Sequence, residues 1–495
     1  MAAMIDEHDR RLLDYVRPAD HRNPPPASKY DLVVIGGGTA GLVCAAGAAG
    51  LGARVALVER HRLGGDCLNS GCIPSKAMLR SARVVAESRL GAAVGVPSSS
   101  EPDFPAVMRR LRVKRADLAP NDSAQRLASL GADVFFGSAS FSGPQIVSIA
   151  SPENDRERVE LRFRRAVIAT GSAPSVPPIA GLAGTPFLTN ETVFEVAERP
   201  DALIVIGAGP SGCELAQAMA RLGTRVTMIE SGDRVLPREE RDAGALVKGR
   251  LCQEGVDVRL NTQVAAVRWV ESRFAVQDGA TLISADALLV ASGRSPRVGD
   301  LGLDAAGVRY GSEGVIVDDR LRTTNARIYA AGDVCSKFKF THAAEAMARI
   351  VVRNALFFGR ARVSSLVIPW CTFTSPEVGR VGQTGEEANG AQAITVALSS
   401  VDRAVVDDAT DGFVRVYHRQ GRIVGATVVA PDAGEIVSAI TIAMRCGAGL
   451  GDLSSAVFPY PTLSLALRQA GDAYRRGALT PGVRRALQYY FRVFR

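Results

Sequence analysis

Two cysteines, Cys67 and Cys72, lie five positions apart in the glycine-rich run LGGDCLNSGCIPSK, Leu63 to Lys76. Two thiols in so short a stretch form a candidate redox pair. On an undistorted helix this spacing would hold the Cα atoms about 8.6 Å apart. A disulfide tolerates roughly 4.4 to 6.8 Å, so the segment must bend if the two are to pair. Gly71 permits a bend. Pro74 suits the first turn of a helix continued by AMLRSARVVAES, which puts Cys72 near a positive dipole end, where a thiolate is favoured. Spacing alone leaves open a pair of unrelated thiols, one of them buried.

The elements that must hold these thiols begin upstream. In YDLVVIGGGTAGLVCAAGAAGLGARVALVER a short apolar strand runs into Gly36, Gly38 and Gly41, then an Ala-rich helix, then a second strand ending at Glu59. The glycines permit a tight turn, close approach of a pyrophosphate to backbone N–H groups, and close helix-on-strand packing. Glu59 is placed to bind a ribose hydroxyl. The same pattern returns in ALIVIGAGPSGCELAQAMARLGTRVTMIE, with Gly207, Gly209, Gly212 and, at matching distance, Glu230. Two such units predict two dinucleotides. Glu230 would repel a ribose 2′-phosphate, which favours NAD(H) over NADP(H), although Arg234 and Arg238 nearby soften that preference.

The run GGDCLNSGCIPSK resembles the redox-active disulfide of the pyridine nucleotide-disulfide oxidoreductases, the flavoprotein family that contains dihydrolipoamide dehydrogenase, glutathione reductase and mercuric reductase. The resemblance covers nearly all of residues 30 to 475. It implies a Cys67/Cys72 disulfide in which Cys67 meets the acceptor and Cys72 faces FAD, the relay between nicotinamide and sulfur. It also implies flavin contacts at Gly65, Asp66 and Lys76, with Glu214 pairing with Lys76. Ala139 matches a backbone contact to the adenine. Thr170 and Gly171 match the return strand under the flavin nucleotide, and Gly293 opens an element in which Arg297 replaces the usual asparagine. Asp333 would hold the ribitol, and Thr341 would offer backbone to the isoalloxazine. No resident metal is expected.

One departure bears on the acceptor. Dithiol reductases of the family carry histidine and glutamate in an HPTxSE run, where this chain has FPYPTLSLAL, with Tyr460 and Leu465 at those places. An unperturbed phenol titrates near 10 rather than about 6.5, so thiol exchange at neutral pH loses its usual acid–base partner. Mercuric reductases share an FPY run, and paired sulfur suits a thiophilic ion. Their additional C-terminal cysteine pair has no counterpart in the closing residues RVFR, and no CxxC module stands at the N-terminus.

The implied architecture is α/β: two Rossmann-like dinucleotide-binding domains, for FAD and NAD(P), and an α+β C-terminal dimerisation domain. The expected boundaries are a polar N-terminal extension over 1–29, a split FAD domain over 30–175 and 294–365, and an NAD(P) domain over 176–293. An interface domain follows over 366–482, then a basic amphipathic tail over 483–495. Residues 76 to 130 read as helical with an interruption near 97 to 105, and Arg109, Arg110, Arg112 and Arg115 read as a solvated helix face. In the tail, Val483, Ala486, Leu487, Tyr490, Phe491 and Phe494 fall on one side. Arg484, Arg485, Gln488, Arg492 and Arg495 fall on the other, a pattern suited to docking on a subunit or resting on an anionic membrane.

The chain of 495 residues has a formal charge of +8, but residues 468 to 495 hold seven arginines against Asp472. The body is therefore nearly neutral, which argues against nucleic-acid binding. Eight cysteines without the dense spacing of a secreted scaffold point to a reducing, cytoplasmic setting. No signal peptide or membrane span is read. The expected function is NAD(P)H oxidation through FAD and Cys67/Cys72 to a non-lipoamide acceptor, a small molecule or metal ion, in a homodimer. The alternatives are a dithiol reductase using another base and a non-enzymatic redox sensor.

Overall fold

The computed structural model describes residues 6–97, 101–151, 158–279 and 281–494. They divide into two compact units. One comprises the described residues up to 207 with 218–229 and 262–366, and the other comprises 208–217, 230–261 and the described residues from 367 onward.

The first unit opens with helix α1 (Glu7–Val16), strand β1 (Tyr30–Ile35), helix α2 (Thr39–Gly50) and strand β2 (Val55–Glu59). The short α3 (Gly65–Asn69) follows, then α4 (Cys72–Leu90) and α5 (Phe104–Leu118). Strands β3 (Ala132–Phe136), β4 (Ser138–Gly143), β5 (Ile146–Ala150) and β6 (Arg158–Ile168) come next. The sheet runs β3-β2-β1-β6, all parallel, with the strand Ile328–Ala330 also parallel to β6 and β5-β4 antiparallel beyond it. Buried on both faces, β1 and β2 are continuous apolar runs rather than alternating ones. Val33, Ile35, Val58, Phe135 and Phe163 are fully or nearly fully buried in its core.

A second parallel set joins Ala202–Ile206 to Arg225–Ile229 and Ala287–Val290. The strands Val264–Val270, Arg273–Asp278 and Thr281–Ala285 form an antiparallel sheet beside it. The other unit is built on five antiparallel strands in the order Pro369–Thr372, Glu377–Gly382, Arg422–Ala430, Phe413–Arg419, Gln392–Ala397. The helices Ala433–Cys446, Leu450–Ser455 and Leu465–Gly477 cover its apolar face, where Val381, Val414, Val416 and Val428 are fully buried. The fold is thus mixed α/β, as expected.

Three local expectations need correction. The N-terminal extension is not merely polar: α1 carries an Asp6/Asp9 capping box and buries Leu12 and Val16. A capping box satisfies orphan N–H groups at both ends of its own loop, and the buried pair anchors the helix. Second, Arg112 and Arg115 are not solvated. Arg115 is only 1% exposed because Asp9 and Glu195 pair with it at 3.0 and 2.6 Å, and Arg112 pairs with Asp6 at 2.6 Å. Third, the tail is helical over Pro481–Val493, but its apolar face covers nothing within the described chain: Leu487, Tyr490, Phe491 and Phe494 stay exposed. Arg495 lies outside the described residues. Among those residues no helix is long and apolar enough to cross a membrane.

Candidate active site

The first glycine turn is set by backbone crowding. A Cβ on Gly36 (φ +105°) would meet the Ala169 carbonyl oxygen at 2.4 Å, and one on Gly41 would meet the Gly36 oxygen at 1.8 Å. Only glycine lets α2 start so close to the end of β1, leaving the N–H groups of its first turn without intrahelical acceptors. Gly38 caps this helix. Glu59, at the end of β2, accepts from Gly37 N at 2.6 Å and His61 N at 2.7 Å.

The second turn repeats the clasp. Gly207 (φ +104°) sits where a Cβ would meet the Ala291 carbonyl oxygen at 2.7 Å, and Gly209 has open space around its Cβ position. The helix Pro210–Arg221, which includes Gly212, follows. Glu230 accepts from Ala208 N and Gly232 N, each at 2.8 Å. Both turns therefore have the glycine cradle and the acidic strand end that a dinucleotide requires, so the chain's residues fit FAD and a pyridine nucleotide.

The cysteine segment is stitched onto the first turn. Gly64 N donates to Gly37 O at 2.9 Å, and the ideal Cβ position of Gly38 is 3.6 Å from Gly65 Cα. Cys67 lies on α3, and Cys72 is the first residue of α4, so the helix is broken between them, as a pairing requires. Gly71 is needed for close approach: a Cβ there would meet the Asp66 carbonyl oxygen at 2.8 Å. Cys67 is half-buried and Cys72 exposed.

The electrostatics favour charge on Cys72. It starts the 19-residue α4, and its Sγ lies 3.2 Å from Oγ1 of Thr341, which itself starts the helix Thr341–Leu356. Two positive dipole ends thus lie beside one sulfur. The Cys67 thiol is pushed up from its ordinary value, first by its hydrogen bond to Cys72, then by burial and by charge on Cys72. The Thr341 hydroxyl acts in the opposite sense. The helix dipoles and the raised Cys67 pKa act the same way: they favour a proton on Cys67 over one on Cys72.

A polar relay joins Asp66 to Asp333. Arg294 donates to Asp66 through Nη2 and to Ser172 Oγ through Nε at 2.6 Å, and Ser172 Oγ in turn donates to Asp333 at 2.6 Å. Burial lowers the Arg294 pKa, with Asp333 opposing. Thr170 Oγ1 donates to Arg297 O at 2.7 Å, Arg297 N donates to Gly171 O at 3.0 Å, and Ser175 N donates to Gly293 O at 2.9 Å. The sequence reading matched Arg294 to the family's GRxPN element without giving it a site role, and it omitted Ser172. The arginine of the GRSP run, one residue after Gly293, was the available signal.

The remaining candidates have contacts of their own. Ala139 is in β4, paired with Ile149 and packed on the sheet core. Lys76 is on α4, with Nζ 3.4 Å from Ser75 Oγ. Glu214 belongs to the other unit, is 5% exposed, and accepts from Phe373 N at 2.8 Å. Tyr460, also in that unit, is exposed and donates to Asp402 at 2.9 Å. That hydrogen bond and the Asp402 charge raise its pKa. Leu465 is buried. Among the described residues no cluster of three or more His, Cys, Asp or Glu could hold a resident metal ion.

Comparison with known proteins follows the same outline. Residues 30–348 match the family described as pyridine nucleotide-disulphide oxidoreductase, and residues 368–470 match its dimerisation domain. Mercuric reductase from Streptomyces lividans is 34% identical over 458 residues, covering 90% of this chain and 96% of the relative. Dihydrolipoyl dehydrogenase 2 of Haloarcula marismortui is 32% identical, covering 91% and 97%. The Cu(II) complex of the HOCl-induced flavoprotein disulfide reductase RclA from Escherichia coli superimposes with a TM-score of 0.81. It is 30% identical and covers 90% of this chain and 100% of that one. With this fold and these relatives, the chain belongs to the pyridine nucleotide-disulphide oxidoreductase family and is an FAD-dependent flavoprotein oxidoreductase that uses a pyridine nucleotide.

Proposed function

We propose that this enzyme is an NADH-dependent reductase whose Cys67/Cys72 dithiol delivers electrons to a thiophilic metal ion, acting as a cytoplasmic homodimer. FAD, when bound, supplies the two-electron relay between nicotinamide and sulfur. Cys67 and Cys72 hold the incoming ion as soft ligands. Binding the ion releases the Cys67 proton to solvent; the two thiolates then give up two electrons and form one S–S bond, and a two-electron acceptor such as Hg(II) becomes the metal. A one-electron acceptor such as Cu(II) requires two ions per disulfide formed. One NADH restores the dithiol.

The observation that carries this reading is the Tyr460 phenol. It donates to Asp402 and is held protonated above its ordinary range, so at neutral pH it cannot take a proton from a dithiol substrate. Leu465 supplies no carboxylate to help it. Two of the relatives support it: a mercuric reductase shares 34% identity, and a similar structure was solved with Cu(II). Glu230, set beside the second glycine turn, supports NADH over NADPH. Lys76, Glu214, Gly293, Asp333 and Thr341 take the flavin-side roles that the family pattern gives them, and Tyr460 is lent to the partner's dithiol. The dimerisation domain supports the homodimer.

A second reading, a dithiol–disulfide reductase with another base, is favoured by the dihydrolipoyl dehydrogenase relative. Anaerobic turnover with NADH against Hg(II), Cu(II), quinones, lipoamide and glutathione disulfide separates the two. We expect metal-dependent NADH oxidation at least tenfold faster than lipoamide or glutathione turnover. Equal or faster turnover of either disulfide overturns the metal reading.

A further inference from the structure

Most of the N-terminal segment precedes the matched family region, which begins at residue 30, yet it grips the helix that carries Cys67. Leu63 N, at the head of the cysteine run, donates to Val16 O at the end of α1, 3.0 Å away. At the other end of α3, Arg115 Nη1 donates to Asn69 O at 3.0 Å and to Glu195 at 2.6 Å, while its Nη2 donates to Asp9 of α1 at 3.0 Å. Asn69 ties the loop to itself by donating to Leu63 O at 3.0 Å and Gly65 O at 2.8 Å.

Arg115 is 1% exposed, so its planar fork is held in one geometry by two carboxylates and one carbonyl. A five-residue helix has too few internal bonds to fix its own axis. Its orientation must come from outside. The two external grips, at Leu63 and Asn69, bracket Cys67 and come from α1 directly or through Arg115. With Asp9 and Glu195 balancing its charge, Arg115 acts on Cys67 chiefly through geometry.

We propose that Arg115, braced by Asp9 of the N-terminal helix, is a positioning residue that sets the distance and therefore the dithiol–disulfide equilibrium of Cys67 and Cys72. The inference rests on these two being the redox pair and not on which acceptor they serve. Arg115→Met removes the fork at similar length. Arg115→Lys keeps the charge without the bidentate reach. Asp9→Asn weakens the brace while keeping an amide oxygen for the Asp6 N–H of the capping box, and Arg11→Ala, which removes an exposed pair between α1 and Asp117 of α5, is the control.

The full-length, flavin-loaded proteins are equilibrated in dithiothreitol redox buffers, and free thiols are counted by alkylation and mass spectrometry. Arg115→Met and Arg115→Lys should each shift the equilibrium constant tenfold or more, about 30 mV for a two-electron couple. Asp9→Asn should shift it in the same direction by a smaller factor, and it carries the test if the Arg115 variants do not fold. Arg11→Ala should stay within twofold of the parent. Parental values in Asp9→Asn and both Arg115 variants overturn the proposal, as does rescue by Arg115→Lys or an equal shift in Arg11→Ala. A parent with no titratable Cys67/Cys72 disulfide would instead overturn the redox-pair reading itself.

Discussion

Replacing Gly41 by alanine tests the reasoning about the first dinucleotide turn at its tightest point. The new Cβ would stand 1.8 Å from the Gly36 carbonyl oxygen, whereas real Cβ contacts stay above 3.0 Å, so α2 and the turn must part by about 1.2 Å. Alanine gains about 1 kcal/mol over glycine inside a helix. Overpacking of this depth costs about 3 kcal/mol, the upper part of the usual range. The balance, about 2 kcal/mol against the substitution, falls on the helix start whose N–H groups would hold a pyrophosphate. At 1.4 kcal/mol per tenfold, FAD affinity should drop about thirtyfold. Gly50 lies on the same helix with nothing within 4 Å of its Cβ position, so Gly50→Ala is the matched control. Flavin retained through gel filtration, and the Kd from fluorescence quenching on reconstitution, give the answer. A Gly41→Ala protein with a Kd within twofold of the parent would refute the steric account.

In the reduced parent the raised Cys67 pKa keeps that thiol protonated through neutral pH, so its alkylation should accelerate only on the alkaline side. Cys72→Ser removes the leading cause, so the alkylation profile of Cys67 should move to lower pH; an unmoved profile would show that burial dominates. Anaerobic NADH titration of the parent should raise a long-wavelength charge-transfer absorbance that Cys72→Ser loses and Cys67→Ser keeps. Tyr460→Phe deletes the bond to Asp402 at an exposed position, so thermal melting should be unchanged while metal-dependent turnover falls at least tenfold; unaltered turnover would leave Tyr460 a space-filler. Glu230→Ser should raise the NADPH-to-NADH ratio of kcat/KM at least tenfold, and a constant ratio would remove the carboxylate from nucleotide choice.

Where one local demand admits few residue types, the sequence was readable. Gly36, Gly41 and Gly207 are written as glycine because a carbonyl oxygen lies where a Cβ would be, and that demand marks both turns without reference to the rest of the chain. The start of α4 at Cys72 was likewise legible from Pro74 and Gly71. Arg115 shows the limit. Its residue type and helical position fit a solvated face, and its partners Asp9 and Glu195 lie 106 and 80 positions away. Burial of a charge is decided by such distant carboxylates, which no periodicity records. The Asp66–Arg294–Ser172–Asp333 relay was hidden for the same reason, since its members come from four stretches far apart in the chain. The docking of α1 was hidden because Leu12 and Val16 are too few to make a visible apolar stripe.

The two glycine clasps are near copies in their carboxylates but not in what lies over them. Gly65 presses against Gly38, while no atom comes within 4 Å of the Cβ position on Gly209. If that contact governs residence, the first nucleotide should leave only when the cysteine loop lifts, whereas the second should exchange with every turnover. A lasting tenant and a passing courier would then be told apart by a single layer of backbone. The cysteine loop would serve as a latch for the tenant as well as an outlet for electrons.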